Sequence, residues 1–223
     1  AKHDTTLLNH ARELPMTAPL LVLVRPRSAD NLVSIAQAMK NYGLREWAAV
    51  IPAHHFENMH RVAELKYGPE GRELLSSLRR VGSLEEAVTG CEVVVGTTMR
   101  EFHDKPRMTP RELALYQAHS PARWALVFGA ETNGLTEGDL MSCNALSFIP
   151  TYPVQPSVNL SQAVVVYAYE LHAAKTSGSE LVDVSDLRAL RGVIADHIRE
   201  RGISRREADA LLAPLVRALL TKR

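Results

Sequence analysis

The sequence predicts an α/β fold in which a parallel sheet carries helices on both faces. Two observations lead to this fold class. Short apolar, β-rich runs alternate with helical patterns from Leu20 to about Lys175. Within the runs, apolar residues follow one another without polar alternation, which is typical of strands buried on both faces. The 223 residues suffice for one such domain and a small appendage.

The predicted strands follow from the apolar runs in chain order. The first is Leu20–Val24, which stops at Arg25 and Pro26. Four more are predicted over residues 47–51, 91–96, 124–128 and 145–149.

The predicted helices follow mainly from their end signals. A helical segment follows residues 28–31 and runs to Tyr42, and Gly43 suits its C-terminal end. Ser83 and Thr109 each begin a capping box. Two further helices are predicted over residues 70–80 and 159–174. The second of these is apolar nearly all round, so it must be covered on more than one side, by a partner subunit or by the sheet and the C-terminal segment.

The chain divides into four predicted segments. Residues 1–18 resemble a flexible N-terminal tail, residues 19–175 form the α/β domain, and residues 176–184 form a polar linker. Residues 185–223 read as a helical hairpin that is broken at Gly202.

The composition narrows the possible functions. The chain has 26 basic and 25 acidic residues, so it does not coat nucleic acid over its whole surface, and any contact with nucleic acid would come from a local patch or pocket. Cys91 and Cys143 lie in apolar surroundings and are expected to be reduced thiols. No apolar run approaches the ~20 residues that span a bilayer, and no secretory signal is evident. We therefore expect a cytoplasmic protein with no membrane contact.

Loops after four predicted strands are the candidate ligand sites, because ligands bind beyond the carboxyl ends of strands in open parallel sheets. These loops cover residues 25–31, 97–100, 128–135 and 149–159. None contains a glycine-rich phosphate motif such as GxGxxG or GxxxxGK[ST]. His54, His55 and His60 have no cysteine or carboxylate partner that completes a metal site, so no metal is expected.

Two of these loops have unusual compositions. Gly129 follows a predicted strand and permits close approach of a backbone or a flat ligand. Glu131 is either a functional residue or a helix cap. The loop 149–159 has three prolines, which would fix its carbonyls and amides for recognition of an adenine edge. Ser157 or Asn159 is a functional residue, a helix N-cap, or both.

Residues 31–40, 128–135 and 149–163 together resemble the three ordered motifs of the SPOUT superfamily. Their order and spacing are similar to the TrmJ-like branch of the SpoU RNA ribose 2′-O-methyltransferases, over roughly Leu20 to Ala174. This resemblance implies a deep trefoil knot in the C-terminal half of the sheet, with a site for S-adenosylmethionine inside it. It also implies a homodimer with active sites at the interface, and RNA as substrate, either tRNA (in its anticodon loop) or rRNA.

The resemblance also implies roles for individual residues. The cofactor-binding positions would be Thr97, Thr98, Met99, Gly129, Glu131, Ile149, Ser157, Val158, Asn159 and Leu160. Asn31 and Ser157 would hold the ribose, and Arg100 would face the RNA or the cofactor carboxylate. The C-terminal hairpin resembles the RNA-side extension of the branch.

This chain departs from the family pattern at two positions in the first motif. Val33 stands where the family usually has glycine, and Gln37 stands where it usually has an arginine that orients the ribose hydroxyl. Because glutamine supplies no positive charge, we expect Arg25, Arg27 or Arg100 to provide it.

The altered motif leaves two alternatives open. One is a paralogue that binds RNA or the cofactor as a dimer without methylating. The other is methylation of a base, as in other SPOUT branches, although the Ser157-x-Asn159 pattern fits the ribose branch better.

Overall fold

The computed structural model describes residues 18–100, 102, 105–154 and 157–176. These residues form a seven-stranded, wholly parallel sheet. The strands are β1 Leu20–Val24, β2 Trp47–Val50, β3 Arg79–Val81, β4 Val93–Thr97, β5 Arg107–Met108, β6 Trp124–Phe128 and β7 Ala145–Ser147. The helices are α1 Ala29–Tyr42, α2 Ala53–Leu74, α3 Leu84–Ala87, α4 Pro110–Ala118, α5 Glu137–Met141 and α6 Leu160–Thr176.

The sheet order is β3-β2-β1-β6-β4-β7-β5, and helices cover both of its faces. Alternate residues of β1 belong to different cores. Leu21 and Leu23 pack with α1, α2, α4 and α6 on one face. Val22 packs with α3 and α5 on the other face. The predicted α/β class with a parallel sheet and helices on both faces is therefore confirmed.

Helix α1 ends where its sequence predicts and begins earlier than predicted, at Ala29. The Ser28 side chain accepts a hydrogen bond from the Asn31 amide at 3.3 Å, which satisfies a free N–H of the first turn. Gly43 adopts a left-handed φ of 72°, and its amide donates to carbonyls of the last turn. This helix contains the first sequence motif and packs on one face of the sheet.

The prediction of a helix over residues 70–80 is wrong at both ends. Helix α2 instead covers Ala53–Leu74 and is interrupted at Gly68, whose φ is 68°. Residues Arg79–Val81 form strand β3, which pairs with β2 in parallel. The sequence did not indicate β3 because two of its three residues are exposed arginines at the sheet edge.

Several smaller features complete the comparison with the sequence. Thr109 forms the predicted capping box with Glu112. At Ser83 only half of the box forms, since the Glu86 carboxylate accepts from the Gly82 amide instead. Both cysteines are free thiols. No helix among the described residues is long and apolar enough to cross a membrane.

The remaining segment predictions lie outside the described residues. They are the tail up to residue 17 and, beyond residue 176, the linker and the C-terminal hairpin.

Candidate functional site

Loops that leave β4, β6 and β7 converge on one cleft at the carboxyl edge of the sheet. Its volume is about 380 Å³, within the usual range for a small-molecule site. Residues from these three loops and from α6 line it: Thr97, Thr98, Met99, Arg100, Phe128, Gly129, Ala130, Glu131, Thr132, Asn133, Gly134, Ser147, Phe148, Ile149, Ser157, Val158, Leu160, Ala163 and Tyr167. The structure therefore brings together all but one of the predicted cofactor positions, the exception being Asn159.

The floor of the cleft is buried and internally bonded. The Tyr167 hydroxyl donates to Ser147 Oγ at 2.8 Å, and Ser147 Oγ donates to the Met108 carbonyl at 2.8 Å. Phe128 meets the Tyr167 ring edge-on at 5.4 Å between centroids. Burial raises the pKa of Tyr167 more than its hydrogen bond with Ser147 lowers it, so the hydroxyl stays neutral. The floor thus offers a ligand an apolar, uncharged surface.

The loop after β4 is fixed by hydrogen bonds to neighbouring strands. Thr97 Oγ1 donates to the Val127 carbonyl at 2.9 Å, and the Thr98 amide donates to the Ser147 carbonyl at 2.9 Å. The Arg100 amide donates to Thr98 Oγ1 at 3.1 Å. The Met99 side chain is exposed.

The loop after β6 needs glycine at position 129 because two backbone segments cross there. A Cβ at Gly129 would lie 2.0 Å from the Gly134 carbonyl carbon. The Gly134 amide donates to the Ala130 carbonyl at 2.8 Å, which closes a tight loop around residues 130–134. The cleft wall at this point is therefore backbone, as the sequence predicted for Gly129.

Glu131 connects this loop to the start of α1. Its carboxylate accepts from the Arg27 amide at 3.0 Å, from the Ser28 amide at 3.1 Å and from Asn31 Nδ2 at 2.8 Å. Of the two roles that the sequence left open, the helix cap is the one observed, but the capped helix is α1 rather than the helix that follows Glu131. The same carboxylate also lines the cleft.

Asn31 links all three motif loops through its side chain. It is buried, donates to Glu131 and accepts from Asn159 Nδ2 at 3.3 Å. Asn159 Oδ1 accepts from the Ser161 amide at 2.9 Å, so Asn159 acts as the cap of α6. Asn159 is not among the residues that line the cleft. Glu131, Asn31 and Asn159 form a chain of hydrogen bonds that we call the motif brace.

The residues expected to act on the ribose are not all brought together. Ser157 is exposed at the cleft rim. Gln37 lies on an exposed face of α1 and does not line the cleft, so the structure does not place its side chain at the site.

The three arginines that could replace the motif charge differ in their partners. Arg100 lines the cleft, but its guanidinium donates to the Leu135 carbonyl. Arg25 has a left-handed φ of 55° and pairs with Asp139. Burial raises the pKa of Asp139, but hydrogen bonds from Arg25 and Thr136 outweigh that effect and hold it below its usual value. The Arg27 side chain is exposed, and its guanidinium bonds to no other described residue.

Some lining residues had no signal in the sequence. Tyr167 and Ala163 read as ordinary apolar positions of a helix, and Ser147 as part of a strand. Within the described residues no group of three histidine, cysteine or carboxylate side chains could hold a metal ion.

Comparison with known proteins identifies the family of this chain. The model of the SpoU rRNA Methylase family matches residues 18–169. The chain is 37% identical over 158 residues to the tRNA (cytidine/uridine/adenosine-2′-O-)-methyltransferase TrmJ of Pseudomonas aeruginosa, a match that covers 69% of this chain and 60% of that protein. The chain spans 60 to 68% of the length of the curated relatives it matches.

Solved structures show the same fold. A probable methylase family protein from Haemophilus influenzae Rd KW20 aligns with a TM-score of 0.61 at 25% identity, covering 94% of this chain and 100% of that chain. The SpoU methyltransferase AviRb from Streptomyces viridochromogenes, in complex with AdoMet, aligns with a TM-score of 0.55. That alignment has 19% identity and covers 73% of this chain and 60% of the other, so it shows the fold alone.

Proposed function

This chain belongs to the SpoU rRNA Methylase family, and we propose that it transfers a methyl group from S-adenosylmethionine to a ribose 2′-hydroxyl of RNA. The observation that carries the proposal is the single cleft in which the loops after β4, β6 and β7 meet. These are the loops that the family resemblance assigns to the cofactor.

The volume of the cleft and the chemistry of its lining support an adenosyl group as the ligand. Its floor is the uncharged surface of Phe128 and Tyr167. At Gly129 the absence of a Cβ lets the backbone of Gly134 and Leu135 pack closely, which brings backbone to the cleft wall. Pockets for such ligands are mostly apolar, with a few fixed polar groups that set orientation.

The proposed cofactor-binding residues divide between the three loops. The loop after β4 contributes Thr97, Thr98 and Met99, the loop after β6 contributes Gly129 and the wall beside Glu131, and the segment around α6 contributes Ile149, Ser157, Val158 and Leu160. Asn159 would act indirectly, because it caps α6. The bound cofactor would supply an electrophilic methyl group on its sulfonium.

Methyl transfer itself is proposed to depend on positioning and charge. The bound cofactor would supply its sulfonium methyl group for an in-line transfer to the 2′-oxygen, in which the sulfur keeps the electron pair of the broken carbon–sulfur bond. The hydroxyl proton would pass to water at the open rim. Ser157, exposed at that rim, would orient the ribose. A nearby positive charge favours the ionised oxygen, and holding the two reactants in line removes much of the entropic barrier.

Asn31 takes a different role in this scheme from direct ribose contact. Its Nδ2 and Oδ1 atoms both bond within the motif brace. We therefore assign Asn31 to positioning, in that it holds the start of α1 against Glu131 and the start of α6. Gln37, exposed on α1 and away from the cleft, is assigned no contact with the reacting groups.

The proposed substrate is tRNA, and rRNA is the alternative substrate that the experiment must exclude. The proposal follows the activity for which the TrmJ relatives are named, which is 2′-O-methylation of tRNA. Residues 185–223, which contain several arginines near Gly202, are proposed as an RNA-side extension.

Two architectural features belong to the same proposal. The first is the trefoil knot, which is supported by the position of β4 between β6 and β7 and by the convergence of their loops on one cleft. An experimental tracing of the chain from β6 to α6 tests it. The second is a homodimer, which is supported by apolar side chains that α6 leaves exposed.

The test of the proposed function begins with the purified protein. Isothermal titration with S-adenosylmethionine is expected to show binding. Tritiated methyl is expected to enter bulk tRNA, and nuclease digestion is expected to give 2′-O-methyl nucleosides. Binding without transfer to either tRNA or rRNA would favour a paralogue that does not methylate, and methylated bases would favour another SPOUT branch. The absence of both cofactor binding and methyl transfer would contradict the proposal.

A matched pair of variants on α6 tests whether this cleft is the cofactor site. Ala163 lines the cleft, whereas Ala173 lies on the same helix, is similarly half-buried and does not line it. The larger side chain of Ala163→Leu is expected to weaken cofactor binding at least tenfold, an energy of about 1.4 kcal/mol, because it occupies ligand space. Ala173→Leu is expected to leave the affinity unchanged. Equal affinities in the two variants would place the cofactor elsewhere.

A further inference from the structure

The loop between β7 and α6 carries a strongly exposed aromatic side chain. Tyr152 is 76% exposed and Val154 is 83% exposed. Ile149 before them and Ser157 after them both line the cleft. Tyr152 therefore belongs to a loop whose two ends line the cleft.

Tyr152 differs from the other exposed tyrosines of the described residues. The Tyr67 hydroxyl donates to Asp30 at 2.8 Å. Tyr169 meets the ring of Tyr42 edge-on, with 6.2 Å between centroids. Tyr152 makes neither a ring contact nor a hydrogen bond with a described residue, so both faces of its ring are available.

The segment around Tyr152 is fixed at both ends. The Phe148 amide donates to the Met108 carbonyl at 3.1 Å, and the Arg107 guanidinium lies 3.8 Å from the Phe148 ring centre. At the other end, Asn159 caps α6. Pro150 and Pro153 restrict the backbone on either side of Tyr152. Such a ring loses little conformational freedom when it binds a flat partner.

We propose that Tyr152 stacks on a base of the substrate RNA at the mouth of the cleft. The inference rests on the proposed function, since a 2′-hydroxyl that enters the cleft brings its own base and the neighbouring base to the rim. RNA is commonly recognised through unstacked bases that pack on aromatic side chains. A chain with a net charge of +1 also needs contacts other than phosphate neutralisation.

The experiment compares Tyr152→Ala, Tyr152→Phe and Tyr152→Trp in the full chain with bulk tRNA. Loss of a base–aromatic stack is expected to raise the Kd and the KM for RNA about 5- to 150-fold in Tyr152→Ala. Tyr152→Phe and Tyr152→Trp keep an aromatic face and are expected to stay close to wild type. Cofactor affinity is expected to be unchanged in all three.

Val154→Ala is the matched control in the same loop, because it removes exposed apolar surface but no aromatic face. Its Kd for RNA is expected to match that of the wild type. Equal losses in Val154→Ala and Tyr152→Ala would show apolar docking and overturn the inference, as would wild-type RNA affinity in Tyr152→Ala. A lower mass for Tyr152→Ala by light scattering would make the loop a subunit contact and overturn it too.

The result for the wild type separates this inference from the proposed function. If the wild type methylates RNA and Tyr152→Ala binds and methylates equally well, the inference alone fails. If the wild type neither binds nor methylates RNA, the proposed function fails and the inference fails with it.

Discussion

At the scale of single residues, the main question is how a site without the motif arginine acquires a positive charge. Gln37 is exposed on α1 and does not line the cleft. Arg25 is paired with Asp139, and Arg100 donates to the Leu135 carbonyl. Arg27 remains, with an exposed side chain and a backbone amide that is bonded to the Glu131 carboxylate at the cleft wall. Arg27 does not line the cleft either, but its guanidinium is the one of the three without a described partner, so we propose it as the source of the charge.

We predict that Arg27→Ala lowers kcat for methyl transfer on the order of 10²-fold, by analogy with the loss of one donor that stabilises a developing oxyanion. Cofactor affinity is expected to be unchanged. Arg45→Ala, at an exposed arginine in the turn before β2 and at the opposite edge of the sheet, is expected to keep full activity. Steady-state kinetics on tRNA measure both. If neither Arg27→Ala nor Arg25→Ala changes the rate of methyl transfer, the hypothesis that one of these arginines replaces the charge of the motif arginine is contradicted.

At the scale of elements, the strongest constraint on the site is the loop between β6 and α5. At Gly129 a Cβ would lie 2.0 Å from the Gly134 carbonyl carbon and 2.1 Å from the Leu135 amide nitrogen. Both are backbone atoms, which cannot move aside as the end of a flexible side chain can. The loop is itself held to α1 by Glu131, so a shift here would disturb the motif brace.

We predict that Gly129→Ala lowers the free energy of unfolding by about 3 kcal/mol or more and abolishes cofactor binding, because the crossing backbones must separate. Gly138→Ala is the control. A Cβ at Gly138, in α5, would meet nothing closer than 3.9 Å, and alanine in a helix is more favourable than glycine by up to about 1 kcal/mol. Urea denaturation measures both. If the Gly129→Ala protein is as stable as the wild type, the close approach of the Gly129 and Gly134 backbones is refuted.

The same elements show why the sequence predicted some of the fold and not the rest. Strands β1 and β6 were predicted because every residue in them is buried, which yields unbroken apolar runs. Strand β3 was missed because Arg79 and Arg80 are exposed at an edge, and β5 because it has only two residues. The motif loops were predicted as loops at strand ends. The partners of Glu131 were not, because they lie about 100 residues away in sequence.

At the scale of the whole molecule, α6 has apolar side chains that the described fold does not cover. Its inner side is buried against α1 and α4 through residues such as Val164, Tyr167 and Leu171. Val165 and Tyr169 lie four residues apart on the same helix and are 38% and 54% exposed. Residues at this spacing share one face of a helix. The sequence left open whether a partner subunit, or the sheet together with the C-terminal segment, covers this helix. We propose that a partner subunit covers this face.

We predict a dimer mass by light scattering at micromolar concentration, and a monomer mass for the Val165→Asp, Tyr169→Asp double variant, since a carboxylate is costly to bury in an apolar interface. Leu65→Asp is the control, because Leu65 is 76% exposed on α2 and should leave the mass unchanged. If both subunits complete each active site, the monomeric variant also loses methyl transfer while its circular dichroism stays native. A wild-type monomer would contradict the dimer. A dimer that survives the double variant would show instead that another surface joins the subunits.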